Sequence, residues 1–417
     1  MMTSAEFTIL FLQLSVMLVS ALALAALVRR LHHPPIVGEL LAGILLGQTV
    51  LGYLAPTAFD WLFLQHTAVI PVREGLILTG MLFFLFSTGM EVDLSMVKGQ
   101  VLGLVLVSGL GILIPFGLGA GTVLAFPQLW GEVAVGNHLQ LALFMGTALS
   151  ISALPIIARI LQDLNLLDKE IGSVILTSAV LNDVVGWFIF AASLNLMQSD
   201  GAEANMGKIF GSMGLALLLI WGLSRWVARP LLNRSQASSG EYIGIVAACV
   251  LAAAALAEWL GIHPVFGAFL VGVALGKSKT NPAEAAERET IHKFASRFFA
   301  PLYFVSVGLK VNFAANFDLG LVLLVLVIAI LGKVVGGGLG ARLSGFDTRT
   351  SLAIGFGLNA RGAIEIILAS VALQHGVIDQ RIFVALVVMA LVTSMISAPA
   401  LKHLLSKPEP AVVYNGG

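Results

Sequence analysis

The residues with the clearest chemical potential are Asn182 and Asp183, in the middle of an apolar run from about Glu170 to Met197. Gly, Ser, Thr and Trp residues surround the pair. A carboxylate at the centre of a membrane-spanning helix costs about 2.5–3.5 kcal/mol on insertion scales, so it is retained only where function requires it. Asp183 is therefore the first candidate for the working site.

Three other charged residues interrupt apolar segments of the second half of the chain. Lys333 needs a carboxylate, a carbonyl or a helix dipole as a partner if it is buried. Arg361 and Glu365 are four residues apart and can pair on one helix face, which would hold a broken helix together without a substrate. Beside Lys333, one helix face is opened to close approach by Gly332, Gly336 and Gly340.

Two segments are predicted to unwind within the membrane. The first contains Ser150, Ser152 and Pro155, of which the proline removes a helical N–H and the two serines offer hydroxyl groups. The second is the glycine-rich stretch 355–362. A proline alone often only kinks a membrane helix. The matching positions of the two segments favour a pair of breaks, because transporters commonly bind their substrate between such interrupted helices.

The elements that carry these residues are predicted to be membrane helices. Hydrophobic residues make up 58% of the 417 residues and charged residues 11%, against about 45–50% and 25% in soluble domains. The chain is thus predicted to be an all-α, multi-pass membrane protein. Its net charge of zero gives no sign of a nucleic-acid partner.

Hydropathy predicts about thirteen spans, with short connections between them. One set of alternate connections contains seventeen Lys and Arg residues and the other set contains four. Because these residues gather on the cytoplasmic side, the N-terminus is predicted outside and the C-terminus in the cytoplasm. The predicted spans are 7–28, 35–54, 74–91, 98–125, 139–161, 170–198, 207–228, 241–260, 263–277, 293–310, 318–342, 349–374 and 379–405.

An internal repeat relates the two halves of the chain. Residues 35–47 resemble residues 264–276, with three glycines in register, and residues 87–92 resemble residues 306–311. Residues 165–168 likewise resemble residues 376–379. Glycine spacing can also serve helix packing alone, but three matched segments in the same order favour a repeat. A shift of seven helices inverts the second copy, so a 6+1+6 inverted repeat is predicted. Its predicted parts are 1–206 (first repeat), 207–240 (linker helix), 241–405 (second repeat) and 406–417 (short cytoplasmic tail).

Five ordered motifs carry a resemblance to a known family, and they extend over nearly the whole chain. They are Gly89–Asp93, Ser150–Leu161, Leu181–Trp187, Ala257–Phe269 and Gly357–Glu365. In these motifs the chain resembles the monovalent cation:proton antiporter superfamily, in the CPA2-like branch that holds sodium/proton and potassium/proton antiporters. The resemblance covers only the transmembrane unit, and a nucleotide-binding regulatory domain is not expected in this chain.

The resemblance implies a homodimer in a bacterial inner membrane, and in each protomer a core in which two broken helices cross. Asp183 would bind the cation and the proton in turn, with Asn182 as its polar neighbour. Ser150 and Ser152 would lie at the first crossing segment, and Lys333 would be the basic residue of the core. No cofactor is implied beyond the transported Na⁺ or K⁺ and H⁺.

The chain departs from the family pattern at two positions. Electrogenic relatives have two adjacent aspartates where this chain has Asn182 and Asp183, so the residue that would face Lys333 is uncharged. Electroneutral relatives place a glutamate six residues before the aspartate, and here that position is Thr177. An electroneutral exchange is expected because Asp183 is the one obvious titrating site, but it becomes electrogenic if Lys333 releases a proton in each cycle.

Other classes of function fit the sequence less well. A sodium-coupled organic-anion symporter can use the same inverted plan, but it needs basic anchors, and only Lys333 and Arg361 are available in the core. A channel favours rings or filters of repeated ligands, and the sequence has no filter-like loop. An intramembrane enzyme would need a second aspartate or a Ser/His pair within the spans, so no enzyme is expected. The choice between Na⁺ and K⁺ stays open.

Overall fold

The computed structural model describes most of the chain. The description covers residues 2–30, 35–91, 101–153, 156–157, 160–161, 164–166, 169–198, 211, 214–215, 218–234, 241–260, 263–276 and 282–405. Within these ranges the secondary structure is helical. The predicted linker helix at 207–240 lies only partly inside the described residues, and the predicted tail at 406–417 lies outside them.

Fourteen longer helices carry the described fold. They are α1 (Ser4–Arg30), α2 (Pro35–Leu46), α3 (Val69–Glu91), α4 (Val101–Ala125), α5 (Glu132–Ser150), α6 (Glu170–Gln198), α7 (Glu241–Trp259), α8 (Pro264–Leu275), α9 (Pro282–Phe294), α10 (Ala300–Lys310), α11 (Leu319–Leu343), α12 (Thr348–Leu358), α13 (Ala363–Gln374) and α14 (Gln380–Leu405). Shorter helical turns lie at Leu51–Leu54, Pro56–Phe59, Asp60–Leu64, Pro127–Trp130, Leu223–Ala228, Arg229–Arg234, Ala295–Phe299 and Phe313–Asn316.

Seven helices in the described part of the chain are long and apolar enough to cross a membrane. They are Ser4–Arg30, Pro35–Leu54, Val69–Met90, Leu102–Ala125, Glu241–Trp259, Leu319–Leu343 and Gln380–Leu405. Three shorter apolar helical segments accompany them at Glu170–Asn182, Pro264–Leu275 and Glu365–Gln374. These segments make the chain an integral, multi-pass membrane protein, while the count of thirteen spans stays a prediction.

The chain forms two compact units, and each of them draws on both halves of the sequence. Unit 1 contains Met1–Asp93 and Trp187–Phe317, and unit 2 contains Leu94–Gly186 and Asp318–Gly417. These units are defined by contacts within the fold, whereas the predicted repeats are defined by similarity of sequence. The boundaries of the repeats remain a prediction.

Unit 1 is held together by glycines at which two helix backbones touch. A β-carbon on Gly43 of α2 would lie 2.8 Å from the Cα of Gly308 in α10. A β-carbon on Gly89 of α3 would lie 3.1 Å from the Cα of Gly272 in α8. Only a residue without a side chain allows backbones to approach this closely. The glycine spacing noted in the sequence therefore serves packing within this unit, between segments of opposite halves of the chain.

Unit 2 is built around the pair α4 and α11. Gly336 and Gly340 of α11 lie against the α4 backbone, where added β-carbons would come within 3.3 Å of the Cα of Gly111 and 2.6 Å of the Cα of Val107. Helix α4 also packs on α5, and α11 also packs on α12. Helices α5 and α12, which lead into the two interruptions, thus each pack on one long helix of this pair.

Helix α11 begins at an aspartate whose charge is stabilised by its neighbours. The Asp318 carboxylate accepts a hydrogen bond from the Leu321 amide at 3.1 Å and from the Arg381 guanidinium at 2.5 Å. These bonds, with the Leu321 amide contributing most, lower the pKa of Asp318 below its ordinary value of 3.8. The position combines an N-cap with an ion pair at the start of α14.

Candidate functional site

The first interruption follows helix α5. This helix ends at Ser150, and Ile151 takes extended backbone angles, with φ −77° and ψ 146°. Ile151, Ser152 and Ala153 are all buried. Because an extended residue ends the helical hydrogen-bond ladder, the span predicted at 139–161 is interrupted at residues 151–153, and the described residues 156–157 and 160–161 are helical again. Pro155, which contributed to the prediction of a break, lies outside the described residues.

The second interruption separates α12 from α13. Helix α12 ends at Leu358, α13 begins at Ala363, and residues 359–362 between them are not helical. A β-carbon on Gly362 would lie 3.3 Å from the Ala153 β-carbon and would overlap the Ile156 side chain. The side chains of Ala153 and Ile156 therefore pack directly against Gly362 and leave little room for a larger residue there.

The two interruptions are joined by direct hydrogen bonds. The Ala153 amide donates to the Ala360 carbonyl at 2.9 Å, and the Ser152 hydroxyl donates to the Leu358 carbonyl at 2.8 Å. Carbonyls at the end of a helix have no intrahelical partner and must find one elsewhere. Here the first interruption supplies the donors that the end of α12 lacks.

Two buried cations lie at the C-terminal end of α5. Arg361 donates to the Ala148 carbonyl at 2.8 Å and to the Leu149 carbonyl at 2.6 Å. Lys333 donates to the Ser150 carbonyl and, at 3.1 Å, to the Gly111 carbonyl. The end of a helix carries a partial negative charge, so cations are stabilised there. Both residues were expected in the core, but the sequence did not indicate that α5 would be their shared partner.

The predicted pairing of Arg361 with Glu365 is confirmed, with a different local geometry. Arg361 Nη1 lies 3.2 Å from Glu365 Oε1, and both side chains are buried. The expectation that the two residues share a helix face is wrong, because Arg361 precedes α13 and lies in the interruption, while Glu365 is in the first turn of that helix. The guanidinium group is thus shared between a carboxylate and the end of α5.

Helix α6 contributes Asn182, whose amide reaches Lys333. In the amide orientation that satisfies both ends of the side chain, Oδ1 accepts from Lys333 Nζ at 3.2 Å. Nδ2 then donates to the carbonyls of Ser108 and Ser178, each at 3.2 Å. Asp183 follows on the same helix, but its side chain lies outside the described part of the structure.

The hydroxyl groups of the two predicted serines are engaged with the backbone. Ser150 Oγ donates to the Gly146 carbonyl at 2.7 Å and lies 3.0 Å from the Ile112 carbonyl. Ser152 Oγ donates across to the second interruption, as described above. Each oxygen still has lone pairs, but each hydrogen is used to hold the interrupted backbone. The structure therefore brings Ser150, Ser152, Asn182 and Lys333 together in unit 2.

Sequence reasoning missed two residues that the structure places at the interruptions. The Ser394 hydroxyl of α14 accepts from the Arg361 backbone N–H at 3.1 Å and donates to the Arg361 carbonyl. It thus satisfies both backbone groups of a residue in the second interruption. Asn359 lies within that interruption with its side chain fully buried. Ser394 carries no signal in the sequence, because serines are common in membrane helices. Asn359 could have been noticed as an amide inside a glycine-rich apolar segment.

Comparison with known proteins places this arrangement in a family. Residues 16–407 match the family described as "Sodium/hydrogen exchanger, transmembrane". The chain belongs to this sodium/hydrogen exchanger family. The family is one of membrane transporters and not of enzymes, as the sequence predicted.

Individual relatives agree with this assignment. The chain is 34% identical over 401 residues to the cation/H⁺ antiporter 18 of Arabidopsis thaliana, covering 93% of this chain and 48% of that protein. It is 30% identical to the Na⁺/H⁺ antiporter NhaS4 of Synechocystis sp., covering 96% and 98% of the two chains. The chain spans about half the length of the plant relatives and nearly all of the cyanobacterial one.

A solved structure shares the fold. The sodium proton antiporter MjNhaP1 from Methanocaldococcus jannaschii at pH 8 aligns with a TM-score of 0.71 over 96% of this chain and 98% of that chain. The sequence identity is 16%, so this likeness concerns the fold alone. It supports the architecture of the exchanger family for the chain as a whole.

Proposed function

We propose that this chain exchanges a monovalent cation, Na⁺ or K⁺, for H⁺ by alternating access, with the two ions competing at Asp183. Membership of the sodium/hydrogen exchanger family supports an exchange of this kind. The observation that carries the proposal is the convergence of two interrupted helices and Asn182 in unit 2. The next residue on α6 is Asp183, so the acid belongs to the helix that reaches this convergence.

The charges around the interruptions support competition at a single acid. Among the carboxylates described at the two interruptions, Glu365 is already paired with Arg361 at 3.2 Å. A carboxylate without a bound cation or proton is charged and cannot cross the apolar barrier. The transporter therefore cannot change its facing without a bound ion, which prevents uncoupled ion flow. We propose one cation for one proton, an electroneutral exchange.

The same proposal includes the cellular setting. We propose that the chain works as a homodimer in a bacterial inner membrane, with its N-terminus outside and its C-terminus in the cytoplasm. The excess of Lys and Arg residues in one set of connections supports this orientation.

The geometry disfavours the organic-anion symporter. Such a transporter needs a cation that can anchor the substrate anion. In the described part of the chain, both buried core cations are engaged: Lys333 with backbone carbonyls and Asn182, and Arg361 with two carbonyls and Glu365. An anion would have to displace these contacts and leave the C-terminal end of α5 without its capping cations.

The test is transport by purified protein in proteoliposomes. A sodium or potassium gradient should drive proton movement in the wild-type chain, and Asp183→Asn should abolish it while the protein remains folded. Asp379→Asn is the matched control, because Asp379 caps α14 through the Ile382 amide at 2.8 Å and asparagine caps a helix equally well. Transport that persists in Asp183→Asn would place the ion site elsewhere.

Stoichiometry is tested by clamping the membrane potential in the same vesicles. An electroneutral exchange should proceed at the same rate at every clamped voltage. Rates that follow the voltage would show a net charge movement in each cycle, and the one-to-one exchange would then be wrong.

A further inference from the structure

Asn359 has an unusual position in the second interruption. Its side chain is fully buried, and neither Nδ2 nor Oδ1 has a hydrogen-bond partner among the described residues. An amide offers two donors and two acceptor lone pairs, and none of this capacity is used by the residues that the structure describes. Buried polar groups nearly always have partners, and an exception calls for an explanation such as a ligand or an ion.

The neighbouring backbone groups are already used. The carbonyls of Leu358 and Ala360 accept from Ser152 and Ala153. The backbone N–H of Asn359 donates to the Phe356 carbonyl at 3.2 Å. These bonds fix the backbone on both sides of Asn359 without help from its side chain. A purely structural role in holding the interruption together therefore leaves the side-chain amide unexplained.

The end of α12 also lies against α6, the helix of the proposed ion site. A β-carbon on Gly357 would lie 2.7 Å from Ile175 Cδ1, so the two helices touch two residues before Asn359. Ser178, less than one turn further along α6, has a buried hydroxyl with no hydrogen-bond partner among the described residues, and so does Thr177 beside it. Unused polar capacity is thus present on both helices near their contact.

We propose that the Asn359 side-chain oxygen is a ligand of the transported cation, supplied by the second interrupted helix. The proposal rests on the proposed function and adds a residue to its site. Uncharged oxygens replace the hydration shell of alkali cations in membrane proteins, and interrupted helices are where transporters place such ligands. Because an amide is neutral and does not titrate, it binds the metal ion without adding to the charge count or competing for the proton.

A neutral oxygen ligand should affect binding of the metal cation and binding of the proton differently. Removal of the Asn359 oxygen should weaken cation binding and leave proton binding at Asp183 unchanged. A residue that only supports the fold would change both, since it would act by moving the whole site. The ratio of the two effects is therefore the decisive measurement.

The experiment compares Asn359→Leu, which is similar in volume but has no polar atoms, with the wild-type chain in proteoliposomes. The concentration of Na⁺ or K⁺ at half-maximal exchange should rise about tenfold, the factor expected when one contact of hydrogen-bond strength is lost. The pH dependence of exchange at saturating cation should stay at the wild-type position. Ser224→Ala is the matched control, because it removes another buried polar atom without a hydrogen-bond partner in the described part of the chain, in unit 1. It should leave both quantities unchanged.

A second measurement does not depend on turnover. Addition of NaCl or KCl, compared with choline chloride, should raise the melting temperature of the wild-type protein in detergent, since a ligand that binds the folded state stabilises it. This shift should be strongly reduced in Asn359→Leu and retained in Ser224→Ala. An Asn359→Leu variant with the wild-type half-saturating concentration and the wild-type shift would overturn the proposal.

If Asn359→Leu does not fold, Asn359→Asp decides the question. It keeps an oxygen at the same place and adds a charge, so it should lower the half-saturating cation concentration and make exchange depend on voltage. Wild-type affinity together with voltage independence in this variant would count against Asn359 as a ligand. Failure of the proposed function itself is distinguishable, because the wild-type chain would then show neither exchange nor a cation-dependent shift.

Discussion

Replacing Glu365 with Gln tests how the core holds a buried charge. The guanidinium group of Arg361 has three described acceptors, the Glu365 carboxylate at 3.2 Å and the carbonyls of Ala148 and Leu149 at 2.8 and 2.6 Å. The substitution keeps an amide oxygen in reach but removes the negative charge. The guanidinium would then remain fully buried with neutral partners only.

The expected loss is large for a substitution that changes so few atoms. Removal of one member of a buried ion pair costs about 3–5 kcal/mol, because the remaining charge is left uncompensated in a medium of low dielectric. The two carbonyls at the end of α5 and the new amide oxygen still stabilise Arg361, so we expect a loss near the lower end, about 3 kcal/mol. Arg361→Gln should cost more, because it also leaves two carbonyls of α5 without their donors.

The chain contains a matched control for this experiment. Lys310 and Glu74 form an ion pair at 2.9 Å whose side chains are 39% and 45% exposed. An exposed pair contributes about 0–1 kcal/mol, since water and salt screen it. Glu74→Gln should therefore reduce stability far less than Glu365→Gln. The measurement is the free energy of unfolding in mixed micelles under increasing SDS, with each variant compared with the wild-type protein.

A double substitution of Arg361 and Glu365 completes the cycle. Removing both charges should recover part of the loss seen in Arg361→Gln, because the Glu365 carboxylate is then no longer left as an uncompensated buried charge. Equal losses for Glu365→Gln and Glu74→Gln would refute this reasoning and would mean that the carbonyls at the end of α5 suffice to hold Arg361.

Two further predictions concern other parts of the fold. Asp318→Asn keeps the N-cap of α11 but removes the charge that faces Arg381; it should cost about 1 kcal/mol or less at neutral pH. Because the pKa of Asp318 is lowered in the folded state, its stabilisation is present above 3.8 and lost as the pH falls below that value. Melting temperatures of the two proteins should thus converge in acid, and a constant gap would contradict the ion pair. Gly43→Ala should reduce the yield of folded protein in size-exclusion chromatography, because its β-carbon would overlap the Val305 carbonyl. Gly75→Ala should not, since that β-carbon meets nothing within 4 Å, and similar yields for both variants would show that unit 1 tolerates the displacement.

Much of the membrane character was predictable from local signals. Apolar runs near 20 residues and the distribution of Lys and Arg are read directly along the chain. The break at 359–362 could be predicted from the glycine-rich stretch 355–362, which also contains Arg361, because a charged residue rarely lies inside a membrane helix without a role. The boundaries were less predictable: α3 begins at Val69 rather than 74, and the amphipathic helix α9 was not expected. Hydropathy does not mark where α3 begins, because the residues around position 69 are as apolar as those within the helix. Helix α9 is too polar to be found by a hydropathy search.

The partners of the core residues could not be obtained in the same way. The sequence indicated that Lys333 needs an acceptor, and the structure supplies it from Gly111, Ser150 and Asn182, on three different helices. Likewise, Ser394 reaches Arg361 across 33 residues of chain. These contacts depend on how the helices of unit 2 pack, which no local pattern specifies.

The amino-acid sequence by itself determined that this chain lies in a membrane, which family it resembles, and which charged residues its interior has to accommodate, because hydropathy and charge belong to each residue. Only the tertiary structure decided that Arg361 and Lys333 both cap α5, and that Asn359 is buried without a described partner. The physical reason is that every residue presents the same backbone carbonyl. The sequence therefore shows that a buried cation needs acceptors, but only the tertiary structure determines which carbonyls lie within hydrogen-bond distance of it.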